Sequence, residues 1–511
     1  MKRSRPLTII TSLTALGFVL AAVWLTVSEV SAVHQTPLVL PPGSEIGGVP
    51  VGGLDSSAAT TRLASVFLSP IELQYREARL QANPIELGLE IDFDGTLRAA
   101  LNGSGSSRRN PLALVWARLW NLPPAPGAAT PLIARVDEIR LRAYLEETAR
   151  CYDQSASAPF PLGGVNYYPG RAGWRLDIET ALPAVKTALL SPVHRTVALP
   201  VQTTAAPVNL SVEVVQLVLE TLLKQSGFDG LAAVSLVDLH RSQRVDFAMQ
   251  NGKNLDPEIA FTAASTIKIP IMLSVLRRTS GEPPRALLDL FDGMLAASEN
   301  PPADRLMERY LDSVRGPLVV TEDFQGLGLK NTFLAGYFYT GAPLLQRFRT
   351  PANSRVDINL KPDIYNQTTP GEMASILEWI YRCAVEDGGR LRETWRDGLT
   401  RTECQLVLDT LARNKTALML EAGVPEATRV AHKHGWTEEA DGLLHTMSDV
   451  GVIFTPGGDF VLCMYIYHPV QINFDMTNRL VAYLTAAIYN AFNLNAQHPW
   501  IFDPPFFISR R

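Results

Sequence analysis

From about Leu7 to Val27 the chain is apolar and carries no charge, and Lys2, Arg3 and Arg5 precede this run. A stretch of that length matches a bilayer-crossing helix. The basic residues in front of it predict a cytoplasmic tail and an exported remainder. Val30-Ser31-Ala32 resembles a signal-peptidase site, so a cleaved signal stays open as the alternative to an anchor over residues 1–32. After a Pro-rich linker at 33–42 the pattern changes. An Ala-rich helical stretch from Ser56 to Phe67 is followed by alternating segments such as Ile71-Glu-Leu73 and Leu87-Gly-Leu-Glu-Ile91, which read as strands. A second helical stretch, Ile178 to Leu190, completes a small α+β module over residues 41–205. The Pro and Gly turns around 102–130 read as a loop inside it.

Beyond a Thr/Ala/Pro linker at 201–210, a second domain is expected over residues 209–495. Its first helix has Ser211 as a cap, Val215, Val218, Leu219 and Leu222 on one face, and Gly227 as its stop. Strands are predicted at Leu231–Asp238 and Arg244–Met249. Segments 449–454 and 460–467 flank Thr-Pro-Gly-Gly-Asp and read as a hairpin, and a closing helix runs from about Asp475 to Asn490. Strands from both ends of the domain, with a long helical middle, predict an antiparallel sheet flanked by helices plus an inserted α-subdomain, an α+β fold.

Composition narrows the function. The net charge of -5 gives no basic field for nucleic acid, so no nucleic-acid partner is expected. Cys383 and Cys404 lie in helix-like segments joined by a Gly-Gly turn, so one disulfide is plausible in an exported chain, while Cys463 reads as a buried thiol. No Cys/His spacing suggests a metal, and no Gly-rich phosphate loop suggests a nucleotide cofactor.

Three short motifs carry candidate chemistry. In Phe261-Thr-Ala-Ala-Ser265-Thr-Ile-Lys268, the serine and the lysine share one face of a helix start. A serine hydroxyl needs a base within reach to act as a nucleophile, and a desolvated lysine can be that base. The apolar run from Ile267 to Leu276 would hold the pair rigidly. Ser298-Glu299-Asn300 follows a helical stretch from Pro284 to Ala297. A hydroxyl with an amide two residues on can relay a proton and hold a substrate amide, although the same residues also suit a plain helix end before Pro301-Pro302. His432-Lys433-His434-Gly435-Trp436 offers Lys433 for a substrate carboxylate, Gly435 for close approach of substrate backbone, and the Trp436 N–H to complete an oxyanion hole with the Ser265 N–H. Each motif alone also has an ordinary packing explanation.

In this order, Ser-x-x-Lys, Ser-x-Asn and Lys-x-Gly resemble the three boxes of class A β-lactamases and penicillin-binding proteins. Asn366-Gln-Thr-Thr-Pro370 looks like the segment that closes that family's omega loop. The resemblance implies acylation at Ser265, Lys268 as general base, proton transfer by Ser298, and substrate contacts from Asn300, Lys433, His434, Gly435 and Trp436. Upstream, the Gly-Val-x-Val-Gly-Gly-Leu run at 48–54 and Gly170-x-x-Gly173-Trp-x-Leu-Asp177 are similar to the peptidoglycan-binding domain found beside cell-wall transpeptidases and VanW-like proteins.

The departures are specific. Glu299 stands where class A enzymes usually have Asp, and His434 where Thr or Ser is usual. No Glu lies between Glu322 and Glu372, so the omega-loop segment lacks the glutamate that activates the deacylating water. Asp357 is the candidate substitute. The expected function is a membrane-anchored extracytoplasmic serine hydrolase acting on β-lactams. The alternatives are a penicillin-binding-protein-like peptidase or transpeptidase on peptidoglycan peptides, and a non-catalytic wall-binding protein. The expected partners are a β-lactam or cell-wall peptide, peptidoglycan, and the membrane.

Overall fold

A computed structural model describes residues 5–35, 39–103, 116, 120, 126–206, 210–279, 281–358, 360–396, 398–439 and 441–507. A helix runs from Arg5 to Gln35, and its side chains from Leu13 to Val27 are exposed. Among the described residues no helix is long and apolar enough to cross a membrane. The transmembrane span expected from Leu7 is therefore not supported: its first side chains lie outside the described ones, and the remaining stretch is shorter than a bilayer requires. Most of the loop expected at 102–130 also lies outside the described residues.

Chain contacts divide the rest into two units, Met1–Ser157 with Ala172–Ala206, and Ala158–Arg171 with Pro207–Arg511. The first unit is α+β. Its largest core joins the helices Glu138–Tyr152 and Ile178–Leu189 to a three-stranded sheet that contains Ile71–Tyr75 at its centre. Asp137 and Asp177 cap those helices by accepting backbone N–H bonds, which satisfies donors that a helix start leaves free. Residues 158–171, read from sequence as part of this module, belong to the second unit. There Tyr167 exchanges backbone bonds with the Gln497 amide, and the Asn490 amide donates to the Val165 carbonyl.

The second unit is built on a six-stranded antiparallel sheet. Its spatial order is Lys253–Leu255, Gln243–Gln250, Leu231–Asp238, Phe460–Tyr467, Leu444–Phe454 and Arg429–Glu438. The strand Leu231–Asp238 is buried throughout, and its residues alternate between two cores as the strand period requires. Ala232, Val234 and Leu236 face the helices Val212–Ser226 and Phe474–Phe492, while Leu231, Ala233 and Val237 face the helical middle of the unit. Ser211 caps the first helix and Gly227, at φ 68°, ends it, both as the sequence predicts. Burying each large aliphatic side chain here contributes roughly 1.5–3 kcal/mol.

Two details of the helical middle position the site. The helix Lys268–Leu276 is buried at all nine residues, so its first turn cannot drift. The helix Pro370–Glu386 packs against the helix Arg401–Ala412, and the Cys383–Cys404 disulfide joins them. Cys463 is a buried thiol in a strand, as expected.

Candidate active site

Ser265 lies in a 3-10 turn, Ala264–Ile267, that leads into the helix Lys268–Leu276. Three residues per turn bring side chains at i and i+3 into line, which aligns Ser265 with Lys268. The turn is entered through Ala264 at φ 48°, a left-handed conformation that a residue with a Cβ adopts only when its surroundings hold it there. Thr266 provides one such hold. Its hydroxyl donates to the Ala263 carbonyl at 2.6 Å and pairs with the buried Tyr465 hydroxyl at 2.9 Å.

The helical stretch expected from Pro284 to Ala297 is not one α-helix. An α-helix, Arg285–Phe291, gives way to a π-helical turn, Asp292–Ala296, and the chain then turns sharply at Ser298 with φ 62°. Asn300 opens the next helix, Asn300–Tyr310, whose first turn takes Pro301 and Pro302 because their missing N–H groups need no partner there. This turn closes over the lysine. Lys268 Nζ donates to the Ser298 carbonyl and to Asn300 Oδ1, both at 2.8 Å, and the Ser298 hydroxyl donates to Ser265 Oγ at 3.3 Å. Burial lowers the Lys268 pKa to about 8, against the opposing pull of Asp304 and Glu299.

The strand Arg429–Glu438 brings the third motif to the same place. As the edge of the sheet it leaves alternate backbone groups unpaired by a neighbouring strand. Gly435 lies against the turn that carries the nucleophile. A Cβ there would stand 3.1 Å from the Ala263 carbonyl oxygen, 3.2 Å from the Ser265 nitrogen and 2.9 Å from Ser448 Oγ. The sequence assigns this glycine to substrate approach; the structure also uses it to seat the strand against the Ser265 turn. Lys433 is fully buried, and its Nζ donates to the His434 carbonyl at 2.9 Å. Burial, helped by the charge of Lys268, lowers its pKa to about 7.

His434 is stacked on Trp436, with ring centroids 4.5 Å apart, and its Nδ1 lies 3.2 Å from the Asn414 amide nitrogen. Burial, with Lys433 nearby, lowers its pKa to about 4, so the ring is neutral at pH 7. Nδ1 then accepts from Asn414 and the ring proton sits on Nε2. His432 points to the other chemistry: Nδ1 meets Asp449 at 2.9 Å and Nε2 meets the Asn414 carbonyl at 3.0 Å. Two acceptors require two N–H groups, and the Asp449 carboxylate raises the His432 pKa against the effect of burial.

Ser265, Asn300 and Trp436 line one cavity of about 390 Å³. Lys268, Ser298, Lys433, His434 and Gly435 are not in its lining. The rest of the wall includes Asn366, from the segment likened to the omega-loop end, and residues that no motif marked: Tyr337, Phe338 and Tyr339 from a Gly-flanked loop, and Asp363 and Tyr365 just before Asn366. Asp357, the carboxylate singled out from sequence, is elsewhere. Arg355 pairs with it at 2.5 Å, it is exposed to solvent, and that pairing lowers its pKa, so it does not serve the cavity. Among the described residues no group of His, Cys, Asp and Glu side chains is arranged to hold a metal.

Residues 280–492 match the model of the beta-lactamase enzyme family. That span includes Ser298, Asn300 and Lys433 to Trp436, and it begins after Ser265 and Lys268. No curated protein matches the chain. Similar solved structures include an ancestral class A beta-lactamase, 22% identical with a TM-score of 0.39, covering 54% of this chain and 99% of that one. PBP-A is 18% identical with a TM-score of 0.38, covering 55% and 96%. A beta lactamase from Xanthomonas campestris pv. campestris is 17% identical with a TM-score of 0.39, covering 54% and 97%. In its C-terminal region, over residues 280–492, the chain thus carries the pattern of the beta-lactamase enzyme family.

Proposed function

We propose that the second unit is a serine hydrolase that opens β-lactams through an acyl-enzyme on Ser265. The observation that carries this reading is the contact of the Ser298 hydroxyl with Ser265 Oγ, made by the same turn whose carbonyl holds Lys268 Nζ. A neutral amine has two hydrogens and one lone pair. The Ser298 carbonyl and Asn300 Oδ1 account for both hydrogens, which leaves the lone pair to receive a proton. With its pKa near 8, Lys268 is neutral often enough at pH 7 to act as general base. Ser265 attacks the lactam carbonyl, its proton passes to Lys268, and Ser298 delivers a proton to the leaving nitrogen. The backbone N–H groups of Ser265 and Trp436 take the oxyanion. Asn300 holds the substrate amide, and Lys433 with the Nε2–H of His434 supplies the positive and donor side for a carboxylate.

A penicillin-binding-protein-like peptidase with slow β-lactam turnover is the second reading, favoured by the fact that among the described residues no glutamate lines the cavity. We also propose that the chain is exported and membrane-attached, with the first unit facing peptidoglycan. Lys2, Arg3 and Arg5 ahead of an apolar run with exposed Leu16, Phe18 and Trp24 support the attachment. Incubating the full chain and its Ser265→Ala variant with a chromogenic cephalosporin tests the enzyme reading. Turnover by the parent alone supports a β-lactamase. A single stoichiometric burst supports the peptidase reading. Equal inertness of both proteins would leave the non-catalytic wall-binding protein.

A further inference from the structure

Hydrolysis of an acyl-serine ester requires a water molecule that loses a proton as it attacks. Among the described residues that line the cavity there is one carboxylate, Asp363. Its backbone is tied to the segment that leads into the nucleophile's turn. The Asp363 N–H donates to Thr262 Oγ1 at 2.9 Å, and the Ala263 N–H donates to the Asn366 carbonyl at 3.3 Å. Residues 262 and 263 run directly into the Ser265 turn, and Thr262 pairs with Gln367 in a short antiparallel ladder. Segment 363–366 and the nucleophile therefore move as one body.

The carboxylate keeps acceptor capacity. Oδ1 takes the Tyr365 N–H at 2.9 Å and Oδ2 takes the Asn366 amide at 2.8 Å, two bonds for a group that can accept about four. Asn366 also lines the cavity and is 6% exposed, and among the described residues no group donates to its Oδ1. A buried amide oxygen without a donor is costly, and a carboxylate oxygen beside it is a second acceptor. The pair is a ready seat for one molecule with two O–H donors, which is water. Burial raises the Asp363 pKa above the usual carboxylate value, which makes the ionised form a stronger base than an exposed aspartate.

We propose that Asp363 is the general base of deacylation and that Asn366 Oδ1 holds the attacking water beside it. This assignment rests on the acyl-enzyme reading of Ser265. In the step, Asp363 takes one proton from water while the water oxygen bonds to the acyl carbonyl carbon. The tetrahedral adduct then collapses, the carbon–Oγ bond breaks, and Ser265 Oγ leaves with the proton returned by Asp363. Water is consumed, one acid is released, and no other reactant is needed.

The experiment follows adduct formation and decay with a fluorescent penicillin on the full chain, by intact mass. Asp363→Asn keeps the shape and the acceptor for the Tyr365 N–H, but its amide cannot take a proton from water. Its acylation rate is expected to equal the parent's, while its adduct decays on the order of 10²-fold or more slowly. Asn366→Ala is expected to slow decay about 10-fold by loosening the water. Parent decay should also fall as pH is lowered through the Asp363 pKa, and this dependence does not require a variant that folds. Decay of the Asp363→Asn adduct at the parent rate, a parent lifetime independent of pH, or a parent adduct that never decays would each overturn the assignment while leaving Ser265 acylation standing. Absence of any parent adduct would overturn both.

Discussion

Lys268 and Lys433 are both fully buried, and burial is the leading cause of the lowered pKa in each. Their surroundings separate their roles. Lys268 opens a helix, and its ammonium is held by the turn that also brings Ser298 to Ser265. Lys433 sits mid-strand and donates to the carbonyl of its own neighbour. A lysine with a depressed pKa becomes a base only where a proton donor shares its site; elsewhere the same depression gives a positive charge that is lost as pH rises through about 7. The comparison teaches that the contact, more than the pKa, assigns the chemistry.

Removing the amine sharpens the contrast most. Lys268→Ala should lower the acylation rate 10²- to 10⁴-fold, as loss of a general base does, read by stopped-flow with a chromogenic cephalosporin. Because the neutral amine is the active form, acylation by the parent should rise with pH and level off above about 8, the Lys268 pKa. The variant should lose that rise. Lys433→Ala should act mainly on binding, raising KM roughly 10-fold for a substrate with a carboxylate while changing kcat less. A fall in kcat as deep as that of Lys268→Ala would erase the distinction.

Gly435→Ala tests the seat between the two walls. Its Cβ would press on the Ala263 carbonyl and the Ser265 nitrogen, so the nucleophile must shift by a few tenths of an ångström. About a 10-fold loss of kcat is expected, with a thermal midpoint near that of the parent. The smallest effect on the site should come from the distant brace. Replacing Cys383 and Cys404 by Ala should cost about 3 kcal/mol of stability by releasing a 21-residue loop, seen in denaturant melts, with kcat unchanged.

Much of this was legible in sequence where the determinants are local. Ser265 and Lys268 are three residues apart, so one turn of helix brings them into line wherever the chain folds. The caps at Ser211 and Gly227 and the hairpin around Thr-Pro-Gly-Gly-Asp are equally local. The place of Asp363 in the cavity wall was not legible, because its backbone is held by the Thr262 hydroxyl, 101 positions earlier. Nor was it legible that Arg355, two residues away, pairs with Asp357 at the solvent-exposed surface, outside the cavity lining. The kink at Asp292–Ala296 also escaped, since its composition is that of an ordinary helix. Tyr337, Phe338 and Tyr339 belong to no motif, and only the fold puts them in the cavity wall.

The central claim is that Ser265 is acylated. It is tested most directly by treating the full chain with penicillin, quenching in acid within seconds, and mapping the modified peptide by mass spectrometry. The account predicts one penicilloyl group per chain, on Ser265, with none in the Ser265→Ala variant. An unmodified chain, or an adduct on any other residue, would contradict it.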